Sequence, residues 1–241
     1  MDVRALGEQI IAARSSGGLL DAPADHRLDA VSAYAVQDMV TDWRIASGAR
    51  IAGWKLGYTS QAMREQMGID QPNVGPLLDT MLLPSGSVID TGVVHPRVEP
   101  EIAAVLARDV DDPANAVAAV GEWRLALEVV DSVWRDYRFD WALNTADGSS
   151  AAFVVLGDPV AGDVADLEVE LAVGADVAVG RSDAAMGDPR RAVRWLAEQL
   201  EGRPRGLRAG DVVITGGLTR AIPLEGIARA RAGAAEVCVT R

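Results

Sequence analysis

A series of short, apolar, strand-like segments follows Gly48 and narrows the possible folds of this chain. They lie near residues 50–58, 94–107, 124–132, 151–156, 167–179, 211–215 and 234–240. Helical patterns interrupt them only at about 61–67, 114–122 and 189–201, so strands and helices do not alternate regularly. A doubly wound parallel sheet requires such alternation. The pattern therefore predicts an α+β fold with a mixed β-roll or β-sandwich body.

Two amphipathic helical patterns precede this body. Apolar residues recur at helical spacing over about residues 2–14 and again over 29–47, and the segment 15–18 breaks the first pattern. Gly48 ends the second helix, as glycine commonly does at a helix C-terminus. We expect a small helical N-terminal region over residues 1–49, followed by one β-rich domain over residues 50–241.

Composition limits the class of protein and its partners. With 241 residues, 49% of them hydrophobic, the chain can bury the core of a globular domain, and its net charge of -12 argues against nucleic acid or an anionic membrane as a partner. A single cysteine, Cys238, excludes an intrachain disulfide. No apolar run approaches the ~20 residues that cross a bilayer, and the N-terminus lacks a signal-peptide pattern. We therefore expect a cytoplasmic protein.

Glu99 and Glu101 are the first candidate functional residues. They are two positions apart in a strand-like segment, so their side chains point to the same face. Two carboxylates on one face repel each other unless a positive charge lies between them. Magnesium, manganese or calcium would supply it, since these ions prefer oxygen ligands. The alternative is a solvated strand face with Arg97 as the partner, and for an isolated pair of glutamates this interpretation is favoured.

Three further charged residues stand in apolar or turn-like segments. Glu128 lies in an apolar strand, where a carboxylate needs either an ion pair with an arginine or a bound metal ion. Lys55, between Trp54 and Leu56, is either a solvated charge at a sheet edge or a desolvated proton-transfer group. Asp79 on its own is most simply a turn residue.

Several familiar kinds of site are difficult to build from this sequence. With only His26 and His95, histidine-rich zinc sites and most histidine-based triads are hard to assemble, so acid–base chemistry falls to carboxylates, a lysine or water. The loop 215–219, Thr-Gly-Gly-Leu-Thr, follows a strand but lacks the lysine of a phosphate-binding loop. This loop is either a tight turn or a ligand-facing loop.

A set of segments, in order along the chain, resembles one enzyme family. They are Ala33-Tyr34-Ala35-Val36-Gln37, Gly53-Trp54-Lys55-Leu56-Gly57-Tyr58-Thr59-Ser60-Gln61-Ala62-Met63, Gly68-Ile69-Asp70-Gln71-Pro72, His95-Pro96-Arg97-Val98-Glu99-Pro100-Glu101-Ile102-Ala103, Leu127-Glu128-Val129-Val130-Asp131-Ser132, Ala146-Asp147 and Thr215-Gly216-Gly217. Over nearly its whole length the chain resembles the 2-keto-4-pentenoate hydratase and 4-oxalocrotonate decarboxylase family of the fumarylacetoacetate hydrolase superfamily. Within this series, Glu99 and Glu101 followed by Glu128 are a specific signal of the family, although each segment alone would be a weak one.

The resemblance implies a mixed β-roll of fumarylacetoacetate hydrolase type, with residues 50–241 as the catalytic domain and a divalent metal ion, usually Mg²⁺ or Mn²⁺. It implies that Glu99, Glu101 and Glu128 are the metal ligands. It also implies that Lys55 is the acid–base or substrate-orienting lysine. Asp79 lies where relatives carry an acidic residue at this or the next position, so we expect a catalytic role for it. The residues expected to bind substrate are Leu56, Arg135, Arg138, Asp147 and Gly217.

The resemblance also implies a metal-dependent lyase of aromatic-compound catabolism that acts on a small 2-oxo acid. Decarboxylation of 2-oxo-3-hexenedioate (4-oxalocrotonate) is favoured over hydration of 2-hydroxypenta-2,4-dienoate, because segments 131–139 and 149–154 are more similar to the decarboxylases. Arg135 or Arg138 would then bind the second carboxylate. Hydrolysis of a C–C bond in an acylpyruvate ranks third, and a non-enzymatic alternative is a subunit that supports a partner.

The same resemblance implies a homo-oligomer that can associate with a partner enzyme of its pathway. The chain departs from the family at Gly148, Asp188 and Ile227, where relatives usually have Asn, His and Asp. These departures bear on the substrate more than on the metal site.

Overall fold

The structure, a computed structural model, describes residues 2–61, 64–65 and 68–241 of the chain. The α-helices of the described part are α1 Val3–Ser16, α2 Ala30–Ala46, α3 Trp141–Ala146 and α4 Pro189–Gln199. The helix predicted over 61–67 includes residues outside the described ranges, so that prediction is untested. Within those ranges, no helix has the length and apolar character needed to span a membrane.

The strands form two mixed sheets. They are β1 Ile51–Gly57, β2 Asn73–Leu78, β3 Leu82–Pro84, β4 Ser87–Val88, β5 Arg97–Leu106, β6 Val120–Val130, β7 Ala151–Pro159, β8 Glu168–Val173, β9 Asp176–Arg181, β10 Val212–Ile214, β11 Ile222–Pro223, β12 Ile227–Ala232 and β13 Ala235–Thr240. The larger sheet has the order β2-β1-β10-β5-β6-β7-β3, with β11 paired to β5, and the smaller has the order β4-β13-β12-β8-β9. Parallel pairs (β1 with β10, β3 with β7, β13 with β4) occur among antiparallel ones. The predicted α+β fold with a mixed β body is confirmed.

The two sheets share one apolar core, and its position decides where the glutamates point. Ile102 on β5 and Leu127 on β6 are fully buried in this core, together with residues of β8, β12 and β13. Side chains alternate along a strand. Glu99 and Glu101 on β5 and Glu128 on β6 therefore lie on the opposite face of the larger sheet.

The N-terminal helices pack against the segment that connects β6 to β7. Residues of α1 and α2 share an apolar cluster with Val133, Trp134 and Leu143. The side-chain amide of Gln37 on α2 donates to the carbonyl oxygens of residues 74 and 145, each at 2.9 Å. The helices therefore support the segment that also forms one wall of the candidate site.

Two local predictions are wrong. The alanine-rich stretch 114–122 forms two short 3₁₀ turns, Pro113–Asn115 and Val117–Ala119, and β6 already begins at Val120. Alanine favours helix, but so short a segment does not offset the cost of helix nucleation by propensity alone. The single strand predicted over 167–179 is a hairpin of β8 and β9 that turns at Gly174, whose φ is 57°.

Candidate active site

A cavity of about 520 Å³ opens over the face of the larger sheet that carries the glutamates. Its wall includes Lys55, Leu56, Arg97, Glu99, Glu128, Tyr137, Ser149, Gly217 and Arg220. Fully buried Glu101 lies on the same face of β5 as Glu99. The structure thus brings together six of the residues predicted from sequence, namely Lys55, Leu56, Glu99, Glu101, Glu128 and Gly217.

Lys55 is buried at this site because its neighbours on β1 anchor the strand. Trp54 and Leu56 pack into an apolar cluster with α4, so Lys55 points the other way. Its Nζ lies 2.8 Å from Oε1 and 3.0 Å from Oε2 of Glu128, and it donates to the carbonyl oxygen of Ser149 at 2.9 Å. Burial alone would lower the pKa of Lys55, but the surrounding carboxylates, Glu128 foremost, outweigh it and raise that pKa. Lys55 is therefore a buried, protonated ammonium group.

Glu101 and Glu99 are carboxyl groups with a deficit of positive charge around them. Oε2 of Glu101 accepts the backbone N–H of Gly216 at 2.6 Å, whereas Oε1 has no hydrogen-bond partner among the described residues. Burial raises the pKa of Glu101 well above its usual range, and the charge of Glu128 adds to the effect. The same two causes, burial first, raise the pKa of half-buried Glu99 to about 7. Both side chains would gain from an additional cation.

The donor set fits a hard divalent cation. The three glutamates and Lys55 have a formal charge of −2 when all are ionised, and Glu99 lies directly across from Glu128 in the β5–β6 pair. Carboxylate oxygens, including the unpartnered Oε1 of Glu101, are the ligands that magnesium and manganese prefer. Among the residues that the structure describes, no group of three His, Cys, Asp or Glu side chains is already arranged to hold a metal ion. In this conformation the carboxylate of Glu128 is paired with Lys55 instead.

The loop 215–219 is at once a tight turn and a wall of the cavity. Gly216 has φ 113°, and a side chain at this position would collide with Thr59. The N–H of Gly216 holds Glu101, and a Cβ on Gly217 would overlap Oε2 of Glu99. The loop backbone therefore contacts both glutamates of β5, which requires glycine at two successive positions.

Three residues that were predicted to belong to the site, Asp79, Arg135 and Arg138, do not line the cavity in this structure. Asp79 opens a short 3₁₀ turn, where its carboxylate accepts the backbone N–H of Arg50 at 3.0 Å and Nε of the same residue at 3.1 Å. Arg135 is exposed and pairs with Asp21 at 2.9 Å. Arg138 is also exposed. Each of them is oriented by a turn or by solvent, and none lines the cavity.

Asp147 is buried, but it also does not line the cavity. Its carboxylate accepts a hydrogen bond from Arg14 of α1 at 2.6 Å and another from the backbone N–H of Val133 at 3.0 Å. Burial raises the pKa of Asp147, while Arg14 opposes that rise. Asp147 therefore fixes the end of α3 to α1, just before the segment in which the carbonyl of Ser149 contacts Lys55.

Sequence reasoning missed several polar residues of the cavity wall, among them Arg97, Tyr137, Ser149 and Arg220. A signal for Arg97 was available, since it lies two positions before Glu99 and so shares its strand face. Its guanidinium carbon is 4.6 Å from the centre of the Tyr137 ring. Ser149 and Arg220 lie in loops, where periodicity does not indicate the direction of a side chain.

Neither histidine contributes to the cavity wall. Nε2 of His26 lies 2.9 Å from the carboxylate of Asp140, and Nε2 of His95 lies 2.7 Å from the carbonyl oxygen of Ser132. A histidine–acid pair that could activate water is therefore not placed in the cavity. This arrangement disfavours the hydrolysis of an acylpyruvate.

Comparison with known proteins identifies relatives that are enzymes. Residues 50–234 match the family described as fumarylacetoacetate (FAA) hydrolase C-terminal. A 2-keto-4-pentenoate hydratase of Burkholderia vietnamiensis is 38% identical over 200 residues, which cover 79% of this chain and 76% of that protein. A 4-oxalocrotonate decarboxylase of a Pseudomonas species is 34% identical over 203 residues, covering 80% of this chain and 76% of the relative.

A solved structure matches nearly the whole chain. The 4-oxalocrotonate decarboxylase of Pseudomonas putida G7, complexed with magnesium and adipate, superposes with a TM-score of 0.90 and 28% sequence identity, covering 99% of this chain and 96% of that one. These relatives confirm the prediction of an enzyme of the lyase type. Since the family match covers most of the sequence and includes β1, β5, β6 and the loop 215–219, the chain belongs to the fumarylacetoacetate hydrolase family.

Proposed function

We propose that the chain is a divalent-metal-dependent lyase that acts on a 2-oxo-alkenoate. The observation that carries this proposal is the buried Lys55, whose Nζ lies 2.8 Å from Glu128 on the sheet face that also bears Glu99 and Glu101. Buried charges in excess of their partners destabilise a protein, and they concentrate at functional sites. The arrangement combines an oxygen-rich cation site with a proton donor, which are the two elements that a 2-oxo acid lyase needs.

Glu99, Glu101 and Glu128 would hold the cation, Mg²⁺ or Mn²⁺. When bound, it would polarise the carboxylate and 2-oxo oxygens of the substrate and offset the negative charge that develops on them. The raised pKa values of Glu99 and Glu101 support this assignment, because both groups favour an added positive charge. The magnesium ion bound by the solved decarboxylase supports it as well.

Lys55 would supply and recover the proton. Its ammonium group is held by Glu128 and by the carbonyl of Ser149, and both contacts keep it charged before reaction. At 4% exposure Lys55 is shielded from bulk water, so a proton that leaves Nζ passes to a group inside the cavity. The reaction consumes one proton, so Lys55 regains a proton from solvent when the product leaves, and Glu128 favours this return because it stabilises the ammonium form.

Decarboxylation of 2-oxo-3-hexenedioate is the reaction we favour. The bond to the distal carboxylate breaks, its electron pair moves along the conjugated chain to the 2-oxo oxygen, and one proton from Lys55 completes the dienol product. The solved decarboxylase that covers 99% of this chain binds adipate, a dicarboxylate, which supports this choice. The alternative is hydration of 2-hydroxypenta-2,4-dienoate, and the hydratase relative at 38% identity supports it.

The two reactions are separated by their products. Metal-depleted protein is incubated with each substrate, with Mg²⁺ or with EDTA, while CO₂ release and the loss of the dienol absorbance are recorded. We expect Mg²⁺-dependent CO₂ release from 2-oxo-3-hexenedioate. Water addition without CO₂ release would select the hydratase alternative, and consumption of neither substrate above its uncatalysed rate would contradict the proposed function.

A matched pair of variants tests the ligand assignment. Glu101→Gln keeps the shape of the side chain and removes its charge, so we expect Mg²⁺ affinity in calorimetric titration to fall at least tenfold, with activity lost and the fold retained. Glu122→Gln is the control, because Glu122 lies on β6 in a partly exposed pair with Arg124, away from the cavity. Unchanged Mg²⁺ affinity in Glu101→Gln would refute the assignment.

A further inference from the structure

A second, smaller cavity lies behind the wall of the candidate active site. It has a volume of about 30 Å³ and lies between α1, α2, the end of β2 and the turn that follows α3. Gly148 lines this cavity, whereas the next residue, Ser149, lines the active-site cavity and accepts a hydrogen bond from Lys55. A group bound in the smaller cavity would therefore connect the N-terminal helices to the segment that holds Lys55.

Two arginines line this cavity, and only one of them has a carboxylate partner. Nη2 of Arg14 donates to Oδ1 of Asp147 at 2.6 Å. The other carboxylate oxygen of Asp147 accepts the backbone N–H of Val133 at 3.0 Å and the hydroxyl of Ser132 at 3.3 Å. Asp147 is thus fully engaged by these neighbours. Among the described residues, none forms a hydrogen bond or an ion pair with the guanidinium of Arg44.

The charged groups of the cavity wall leave one positive charge without a counterion. Arg14 and Arg44 contribute two positive charges, and Asp147 contributes one negative charge. Burial lowers the pKa of Arg44 to about 10, and the charge of Arg14 adds to this effect while Asp147 opposes it. Arg44 is still charged at neutral pH. It is therefore a partly buried cation that an added anion would stabilise.

The size and the wall of the cavity restrict the anion that fits. Most of the wall is apolar and is formed by Val40, Pro76, Leu78, Met81 and Ala151. The hydroxyl of Thr41 already donates to a backbone carbonyl oxygen of α2 at 2.8 Å, so donors for an anion come from the guanidinium groups. A single water molecule needs about 10–15 Å³, so the cavity suits one small ion and is too small for sulfate or phosphate. Because an apolar wall cannot replace the hydration shell of a strongly hydrated ion, a weakly hydrated one is favoured.

We infer that Arg14 and Arg44 bind one small, weakly hydrated monovalent anion, such as chloride or bromide, in this cavity. The guanidinium of Arg44 offers charge-assisted N–H donors, and the partial exposure of its side chain gives the ion a route from solvent. Bound there, the anion stabilises the contact of α1 and α2 with the turn 147–151. The site is separate from the glutamates and Lys55, so the inference does not depend on the reaction that the enzyme catalyses.

Urea unfolding in two potassium salts tests the site with bromide as the probe. Mg²⁺-loaded protein is unfolded in bromide and in methanesulfonate, an anion too large for the cavity, at equal ionic strength and Mg²⁺ concentration. We expect bromide to raise the urea midpoint of the wild type relative to methanesulfonate, because it binds the folded state alone. In Arg44→Gln the apparent dissociation constant of bromide should rise at least tenfold, which is the scale of one charge-assisted hydrogen bond.

A matched control separates this site from general effects of salt and charge. Arg138→Gln removes an exposed arginine that lines neither cavity, so it should respond to bromide as the wild type does. General effects of the two salts on unfolding act on the wild type and on both variants alike. The difference between Arg44→Gln and Arg138→Gln therefore measures binding at Arg44.

Crystals of the wild type grown with sodium bromide locate the ion without any variant. Bromide scatters X-rays anomalously, so we expect an anomalous difference peak within hydrogen-bond distance of the Arg44 guanidinium. This measurement decides the question even where Arg44→Gln does not fold. No peak beside Arg44, or bromide only at the active site, would overturn the inference. A peak beside Arg44 together with an equal bromide response of the wild type and Arg44→Gln in urea would mean binding at crystal concentration only, which also overturns it.

Discussion

Replacing Lys55 with methionine in the metal-free protein removes the cation on which the buried carboxylates depend. Lys55 Nζ lies 2.8 Å from Oε1 and 3.0 Å from Oε2 of Glu128, and it donates to a backbone carbonyl oxygen at 2.9 Å. Exposure is 4% for Lys55 and 1% for Glu128, so solvent cannot take over these contacts. Methionine fills a similar volume without charge. We expect Lys55→Met to destabilise the metal-free protein strongly, and by an amount that depends on pH.

The size of the effect follows from the charges that remain. Removing one partner of a buried ion pair costs about 3–5 kcal/mol when the other partner stays ionised. Protonation of one carboxylate relieves part of this cost. Protonation requires the least free energy at low pH, because the pKa of Glu99 is about 7 and that of Glu101 is raised as well. At pH 8 we therefore expect a loss of about 3 kcal/mol, and at pH 5.5 a loss of about 1 kcal/mol.

Urea unfolding in EDTA at the two pH values measures these losses. Glu128→Gln is the companion variant, because it removes one negative charge from the cluster and leaves Lys55 with the other two glutamates. The double variant Lys55→Met/Glu128→Gln should be more stable than Lys55→Met alone at pH 8, and saturating Mg²⁺ should restore Lys55→Met more than it stabilises the wild type. A loss below about 1 kcal/mol at pH 8, or an equal loss at both pH values, would refute the argument that Lys55 balances the carboxylates.

Three further predictions concern the loop, the link to α1 and the pH dependence of the wild type. Gly217→Ala should lower Mg²⁺ affinity in calorimetry at least tenfold, because its Cβ displaces the carboxylate of Glu99. Arg14→Gln should cost about 3 kcal/mol in urea unfolding, since it leaves Asp147 buried without its ionic partner, whereas Arg4→Gln in an exposed pair should leave the unfolding free energy essentially unchanged. The pKa of Glu99 is raised from 4.5 to about 7, so between these pH values the folded protein binds more protons than the unfolded chain. The free energy of unfolding of the metal-free protein should therefore fall as the pH rises through this range. The full pKa shift of Glu99 corresponds to about 3 kcal/mol of unfolding free energy, which solvent screening of this half-buried group reduces to about 1–2 kcal/mol. Saturating Mg²⁺ should abolish this pH dependence of stability in unfolding curves.

The inner part of the site could be predicted because it is built on strands. The two-residue periodicity placed Glu99 and Glu101 on one face, and the apolar neighbours of Glu128 indicated a buried carboxylate that needs a partner. Periodicity could not identify the partner of Glu128, because the pairing of β5 with β6 and the position of β1 depend on tertiary structure. Each alternative offered for Glu128, an ion pair or a metal, was chemically sound. In the structure the ion pair forms, and its partner is Lys55 rather than an arginine.

The locations of the remaining candidate residues could not be predicted, because resemblance transfers positions along the chain and not the orientations of side chains. Asp79 and Arg135 occupy turns, where local hydrogen bonds and solvent decide the direction of the side chain. Asp147 follows α3 and turns inward to Arg14, a contact between segments 133 residues apart that no local pattern contains. Strand β12 was overlooked even though its buried alanines alternate with exposed arginines. Small side chains give that alternation a weak hydrophobic signal.

Strand β5 carries side chains of opposite charge on one face. Glu101, Glu99 and Arg97 occupy alternate positions on one face, so the charge on that face changes sign within five residues. Lys55 neutralises one carboxylate at the negative end, which leaves a charge of −2 for a divalent cation to match. A cation at that end therefore cancels the field of the glutamates and leaves that of Arg97 unopposed at the other end. Cation binding would thus raise the affinity of the cavity for an anion near Arg97, and by linkage a bound anion would raise the affinity of the glutamates for the cation by the same factor.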